Sequence, residues 1–163
     1  MLSIETSRLR VFPLPLAQLR LWADDLPALE RSLGYAYRGV PVEKALGDAR
    51  RLLAAAEEAG ESPYRTVWML VQREEGVIIG SAGFKGGPDE KGEVEIRYAM
   101  GKDYRRRGYM TEAVKAICCW ALEQPEVAHI TAETDLVSYP SQRILERLGF
   151  QKYREEETLW WRL

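Results

Sequence analysis

The spacing of apolar positions changes period several times along the chain, and each change marks an element. Arg8 to Phe12 alternates (Arg, Leu, Arg, Val, Phe) and predicts a strand stopped by Pro13 and Pro15. Two short helices follow. Residues 15–22 place Leu16, Leu19 and Leu21 on the apolar side, and Leu26–Leu33 is flanked by a capping Asp24 or Asp25 and by Gly34. Residues 35–41 read as irregular. Residues 42–59 predict a longer helix, because Ala45, Ala49, Leu52, Leu53 and Ala56 recur at helical spacing and Gly60 stands where a helix ends. Residues 66–72 and Val77–Phe84 flank a glycine-containing turn and predict a hairpin. Glu93–Met100 alternates, with Glu93, Glu95 and Arg97 on one face and Val94, Ile96 and Tyr98 on the other. Residues 109–124 form a helix whose stripe is Met110, Ala113, Val114, Ile117, Trp120 and Ala121. A strand at 127–134, a helix at 138–148 closed by Gly149, and strands at 150–153 and 158–163 complete the pattern.

This order is an α+β layout with a mostly antiparallel sheet. Only residues 93–134 have the strand–helix–strand form that puts two parallel strands side by side.

Composition narrows the function. The 163 residues fit one domain, read as 1–163, and 46% hydrophobic with 29% charged residues is ordinary for a globular chain. The net charge of −2 gives no long-range field for nucleic acid or an anionic membrane, so neither is expected as a partner. Cys118 and Cys119 are adjacent, which disfavours a disulfide between them, and with the single His129 they offer no zinc pattern, so no metal is expected. Both cysteines are expected to be buried in their helix and His129 to pack within its strand. Residues 1–10 lack the apolar run of a signal peptide and no segment has the length of a membrane span, which leaves a reducing cytoplasm as the expected compartment.

The sharpest local feature is Tyr104-Arg105-Arg106-Arg107-Gly108-Tyr109-Met110-Thr111, between a strand and a helix. A helix start offers unpaired N–H groups and a positive dipole end, and a glycine there lets an anion approach the backbone. Three arginines on a slightly acidic chain mark a local anion site. A solvated basic turn is the plain alternative. Nucleic-acid binding is weakly supported, and a triphosphate loop is excluded because Gly-Lys-Ser/Thr is missing.

Residues 104–113, Y-R-R-R-G-Y-M-T-E-A, resemble the coenzyme A pyrophosphate motif of the GNAT superfamily of N-acetyltransferases. Three further segments are similar to its ribosomal-protein N-acetyltransferase branch: T-S-R-L-R-V-F-P at 6–13, I-G-S-A-G-F at 79–84, and S-Q-R-I-L-E-R-L-G-F at 141–150. The resemblance implies a mixed, mostly antiparallel sheet of six or seven strands flanked by helices, splayed between its fourth strand, Glu93–Met100, and its fifth. It implies acetyl-CoA as co-substrate. The pantetheine would pair with backbone groups of Ile96, Tyr98, Ala99 and Met100, and the pyrophosphate would be held by Arg105, Arg106, Arg107, Gly108, Tyr109, Met110 and Thr111. Three positions depart from the family pattern: Met110 replaces a small residue, Ser138 an asparagine, and Leu145 a tyrosine that serves many relatives as proton donor.

Acetyl transfer needs a base for the amine proton and a donor for the departing thiolate. Glu95 is the candidate base and Glu93 the second, with Arg97 placed to pair with Glu95 or to meet an acidic acceptor. An exposed, charge-balanced strand face is the alternative. Ser138, Tyr139 and Ser141 are candidate donors, with helix capping or surface packing as the plain reading. The resemblance implies that Tyr35, Tyr37 and Arg38 lie in the variable region that shapes the acceptor pocket, and Trp160 and Trp161 read as sheet packing or an oligomer edge. The expected activity is acetyl-CoA-dependent N-acetylation of a protein N-terminus or a small amine, by a monomer or homodimer. A coenzyme A-binding module without transfer is the second reading.

Overall fold

In the computed structural model, residues 1–41, 43 and 46–163 are described. The sheet runs β1 (Ile4–Glu5), β2 (Leu9–Pro13), β4 (Val67–Gln72), β5 (Val77–Phe84), β6 (Glu93–Met100), β7 (His129–Asp135), β9 (Thr158–Arg162), β8 (Gln151–Glu155) in spatial order, with β3 (Ala36–Tyr37) beside β5. Neighbours are antiparallel except β6–β7 and β3–β5. The helices are α1 (Leu16–Asp24), α2 (Leu26–Leu33), α3 (Leu46–Ala59), α4 (Tyr109–Leu122) and α5 (Tyr139–Arg147).

The predicted α+β, mostly antiparallel fold is therefore present. The strand count is higher than expected because β1 and β3 are two-residue strands. Segments this short show no alternation, and they form because the turn at Thr6 and the chain after α2 lie against an existing edge. The start of the helix expected over 42–59 includes Val42, Lys44 and Ala45, which lie outside the described residues. Asp25, not Asp24, caps α2, accepting from the Ala28 N–H at 3.1 Å.

Apolar residues cover both faces of the sheet. On one, α4 sets Met110, Ala113, Val114 and Ile117 against Trp68, Phe84, Val94 and Ile96. On the other, α1, α2 and α3 place Leu19, Trp22, Leu29 and Ala49 over Phe12, Met69, Val71 and Ile78. An extra residue at Ile79 shifts the β4–β5 register, so Ile79 joins Ala82 and Phe84 in the α4 core while Ile78 faces the other. Trp120 is only half-buried and closes the α4 core through Tyr64 and Trp68, with ring centroids 5.5 and 5.1 Å away.

Two expectations are corrected here. His129 opens β7 and is exposed rather than packed. Cys118 is buried while Cys119 is exposed, since adjacent helix positions point about 100° apart. Burial pushes the Cys118 thiol to about 12. A thiol reagent at pH 8 is therefore expected to modify Cys119 promptly and Cys118 only on unfolding; two equally fast thiols would contradict this burial.

Candidate active site

The sheet opens between β6 and β7. Their ladder holds three positions, Glu93 with His129, Val94 with Ile130 and Glu95 with Thr131. β6 continues to Met100 paired only with β5. Lys85 donates its N–H to the Glu95 carbonyl (3.0 Å), and Gly101 donates to the Ile79 carbonyl (2.8 Å). Main-chain groups alternate between strand edges. Those of Arg97 and Ala99 are thus directed at β5, and those of Ile96, Tyr98 and Met100 toward the side where the ladder ends. The Met100 carbonyl accepts from Arg105 Nε at 3.1 Å.

A short turn at Lys102–Tyr104 leads from β6 to α4. Gly108 is the residue before the helix, with φ +80°, a conformation that favours glycine. Arg106 shares the left-handed region at φ +64°. Among the described residues, the N–H groups of Gly108, Tyr109, Met110 and Thr111 meet no protein acceptor; the first helical bond is Glu112 N–H to the Gly108 carbonyl. Met110, the bulky departure from the motif, turns into the α4 core and leaves the loop uncrowded. Arg105, Arg106 and Arg107 are exposed, and the Arg107 guanidinium lies 5.6 Å from the Tyr104 ring.

A second cation reaches this loop from the start of the chain. Arg8 donates from Nε to Glu112 Oε1 (2.9 Å), from its backbone N–H to Glu112 Oε2 (3.0 Å) and from Nη1 to the Arg107 carbonyl (2.9 Å). Its guanidinium sits 4.2 Å from the Tyr109 ring centroid. Thr6 donates its hydroxyl to the same carboxylate. Sequence alone does not mark Arg8, Thr6 and Glu112 as site residues, although both segments containing them carry the family resemblance. Spacing rules do not join positions about a hundred residues apart.

On the other face of β6, Glu93, Glu95 and Arg97 share one side, as their alternation requires. Glu95 is largely covered and pairs with Lys85 Nζ at 2.8 Å; the same ammonium lies 3.8 Å from Glu133. Glu93 forms an ion pair with Arg162 at 3.1 Å, by distance rather than by an aligned hydrogen bond. Arg97 pairs not with Glu95 but with Asp48 of α3, at 2.6 Å. Same-face residues on a strand stand about 6.6 Å apart, whereas α3 lays Asp48 directly over β6. The Arg97 hydrogen bond and charge hold the Asp48 carboxyl below the usual carboxylate range.

Arg97 and Asp48 border a cleft of about 190 Å³ whose walls include Trp22, Leu52, Val67 and Ser81. Tyr35 is engaged elsewhere, accepting from Arg10, whereas Tyr37 backs the cleft wall, donating to the Val40 carbonyl while its ring meets Trp22. Ser138 precedes α5 without a side-chain capping bond, so its hydroxyl is uncommitted. The Ser141 carbonyl accepts from the Tyr98 hydroxyl at 3.3 Å, and burial pushes the Tyr98 phenol to about 12. Tyr139 is exposed and Leu145 is core. Among the described residues no group of His, Cys, Asp and Glu is placed to hold a metal ion, and no helix is long and apolar enough to cross a membrane.

Comparison with known proteins completes the picture. The family model described as "Acetyltransferase (GNAT) domain" matches residues 17–151. The uncharacterized N-acetyltransferase YjdG of Bacillus subtilis (strain 168) is 42% identical over 83 residues, 51% of this chain and 49% of that protein. The alignment thus spans about half the length of that curated relative. Among solved structures, the ribosomal L7/L12 alpha-N-protein acetyltransferase RimL in complex with coenzyme A superposes with a TM-score of 0.71 at 9% identity, covering 99% of this chain and 97% of that one. The ribosomal-protein-S5-alanine acetyltransferase of Vibrio fischeri gives 0.68 at 16%, covering 100% and 96%. At these identities the two structures establish the fold.

Proposed function

The chain belongs to the GNAT acetyltransferase family, and from that premise we propose that it moves an acetyl group from acetyl-CoA directly to a primary amine. The observation that carries the proposal is the joint geometry of the opened β6 edge and the four open N–H groups at 108–111. Arg105, Arg106, Arg107, Gly108, Tyr109, Met110 and Thr111 would hold the pyrophosphate, chiefly through backbone N–H groups at the positive end of α4. The pantetheine would add to the β6 edge at Ile96, Tyr98 and Met100 as a strand would. Ala99 spends its main-chain groups on β5 and would contribute contact only.

A lysine-type amine has a pKa of about 10.4, so roughly one in 2,500 is neutral at pH 7. Glu95, held in place by Lys85, would take the amine proton directly or through water as nitrogen attacks the thioester carbonyl. The Tyr98 N–H on the open edge would meet the developing oxyanion. The sulfur leaves with the bonding pair, and Ser138 or Ser141 would supply or relay its proton. Glu93, tied to Arg162, is the weaker base candidate. The acceptor is a small-molecule amine or a protein N-terminus, the latter suggested by the likeness to RimL, a ribosomal L7/L12 alpha-N-protein acetyltransferase. Because Glu95 is already ion-paired, a coenzyme A-binding module without transfer remains the second reading.

Thiol release from acetyl-CoA against an amine panel tests both. Transfer predicts release coupled to acetylated product; tight binding with no release from any amine selects the module. Glu95→Gln is expected to lower kcat/KM by about 100-fold at pH 7, within the usual range for a general base, and by much less at pH 9, where more amine is neutral. An unchanged pH profile removes Glu95 as the base.

A further inference from the structure

The acceptor side of β6 carries a feature that the coenzyme A site does not use. Arg97 stands in the wall of the cleft, its side chain 25% exposed, with Nη1 2.6 Å from Asp48 Oδ2. Among the described residues, Nε and Nη2 meet no protein acceptor. Guanidinium presents its N–H groups in a fixed fork matched to a carboxylate, and such bonds strengthen where water is excluded. The walls here are mainly apolar, formed by Trp22, Leu52, Val67 and Ala82.

Two residues back on the same strand face is Glu95, about 6.6 Å away along the strand, beside the point where the sheet opens. The face therefore offers a cation and an anion in sequence. Lys85 and Glu133 flank Glu95, and Asp48 and Arg51 flank Arg97, so the surroundings are otherwise charge-balanced. A zwitterion leaves that balance unchanged, whereas a group of one sign alone would shift it.

We infer that the acceptor is a free amino acid with an apolar side chain, its carboxylate on the open fork of Arg97 and its amino group toward Glu95. This inference rests on the acetyltransferase reading and adds the substrate class. Asp48 orients the guanidinium from α3, and the apolar walls receive the side chain. A carboxylate on the α-carbon separates this acceptor from a peptide N-terminus, whose matching group is a neutral amide.

The test compares leucine, leucinamide, 3-methylbutylamine and a leucyl dipeptide. Calorimetric binding is measured in the presence of coenzyme A, and thiol release in the presence of acetyl-CoA. Leucine is expected to be preferred over leucinamide by at least about tenfold, the discrimination that a site built to bind a polar group achieves. Arg97→Met should bring that ratio to about 1, and Arg97→Lys should keep part of it, since charge remains but the fork is lost. A ratio near 1 in the parent protein, a dipeptide preferred over leucine, or a ratio unmoved in Arg97→Met overturns the inference. Leucine binding with the stated preference but without thiol release would instead count against the transferase reading and leave the binding class standing.

Discussion

Gly108→Glu is expected to weaken acetyl-CoA binding by at least about 100-fold, or roughly 2.7 kcal/mol, while the protein stays folded. Two effects act together. A side chain at φ +80° is strained by about 1–2 kcal/mol, and a Cβ there would stand 3.3 Å from Arg8 Nη2. The larger effect is electrostatic. A carboxylate about 5 Å from a phosphate charge, at an effective dielectric of about 20, is repelled by roughly 3 kcal/mol. Gly108 is exposed and lies outside the helix, so global unfolding is not expected. Calorimetric titration with coenzyme A, with circular dichroism to establish folding, is the measurement. Unchanged affinity in a folded variant would move the anion site elsewhere. Gly108→Ala separates the effects, since it keeps the strain and omits the charge.

Glu112→Ala should damage both stability and binding. The carboxylate ties the turn between β1 and β2 to the first turns of α4, accepting from Thr6 and from Arg8 through main chain and side chain. Its truncation leaves these donors without their charged partner. Hydrogen bonds to charged groups contribute about 1.5–3 kcal/mol each; with Arg8 40% exposed, a total near 2 kcal/mol is reasonable, or a Tm lower by roughly 4–8 °C for a chain of this size. Arg8 also holds the Arg107 carbonyl, so its release is expected to weaken coenzyme A binding by about tenfold. A Tm and a Kd both matching the parent would show the staple to be dispensable. Burial pushes the Glu112 carboxyl up, but the bonds from Thr6 and Arg8 together outweigh it and leave the pKa below 4.5. A carboxyl depressed in the fold stabilises above its unfolded pKa and loses that contribution as pH falls through the folded one. The stability advantage over Glu112→Gln should therefore be full at pH 7 and shrink on acidification below about 4.5.

What could be read in advance and what could not differ by the range of the interaction. The alternation of Glu93–Met100 assigned its two faces correctly, with Val94 and Ile96 against α4 and Glu95 and Arg97 away from it. The capping residue and glycine stop of α2 were local as well. Partners were not. The shared strand face offers Arg97 either Glu95 or an acidic acceptor as partner, yet it binds Asp48 of α3. Glu95 binds Lys85, which follows the end of β5 and carries no periodic signal. Cys119 shows the limit on a helix: the stripe is legible, but the solvent boundary depends on what packs beside it.

The sequence by itself determined the period of most elements, the order that demands one parallel neighbour, and the glycine where α4 begins. These follow from steric and burial constraints acting over a few consecutive residues. Only the tertiary structure decided that the β6–β7 ladder stops after Glu95↔Thr131, that Arg8 reaches the α4 loop, and that Arg97 borders a cleft with part of its fork open. Each depends on segments far apart in the chain meeting at distances of a few ångströms, which local spacing does not encode.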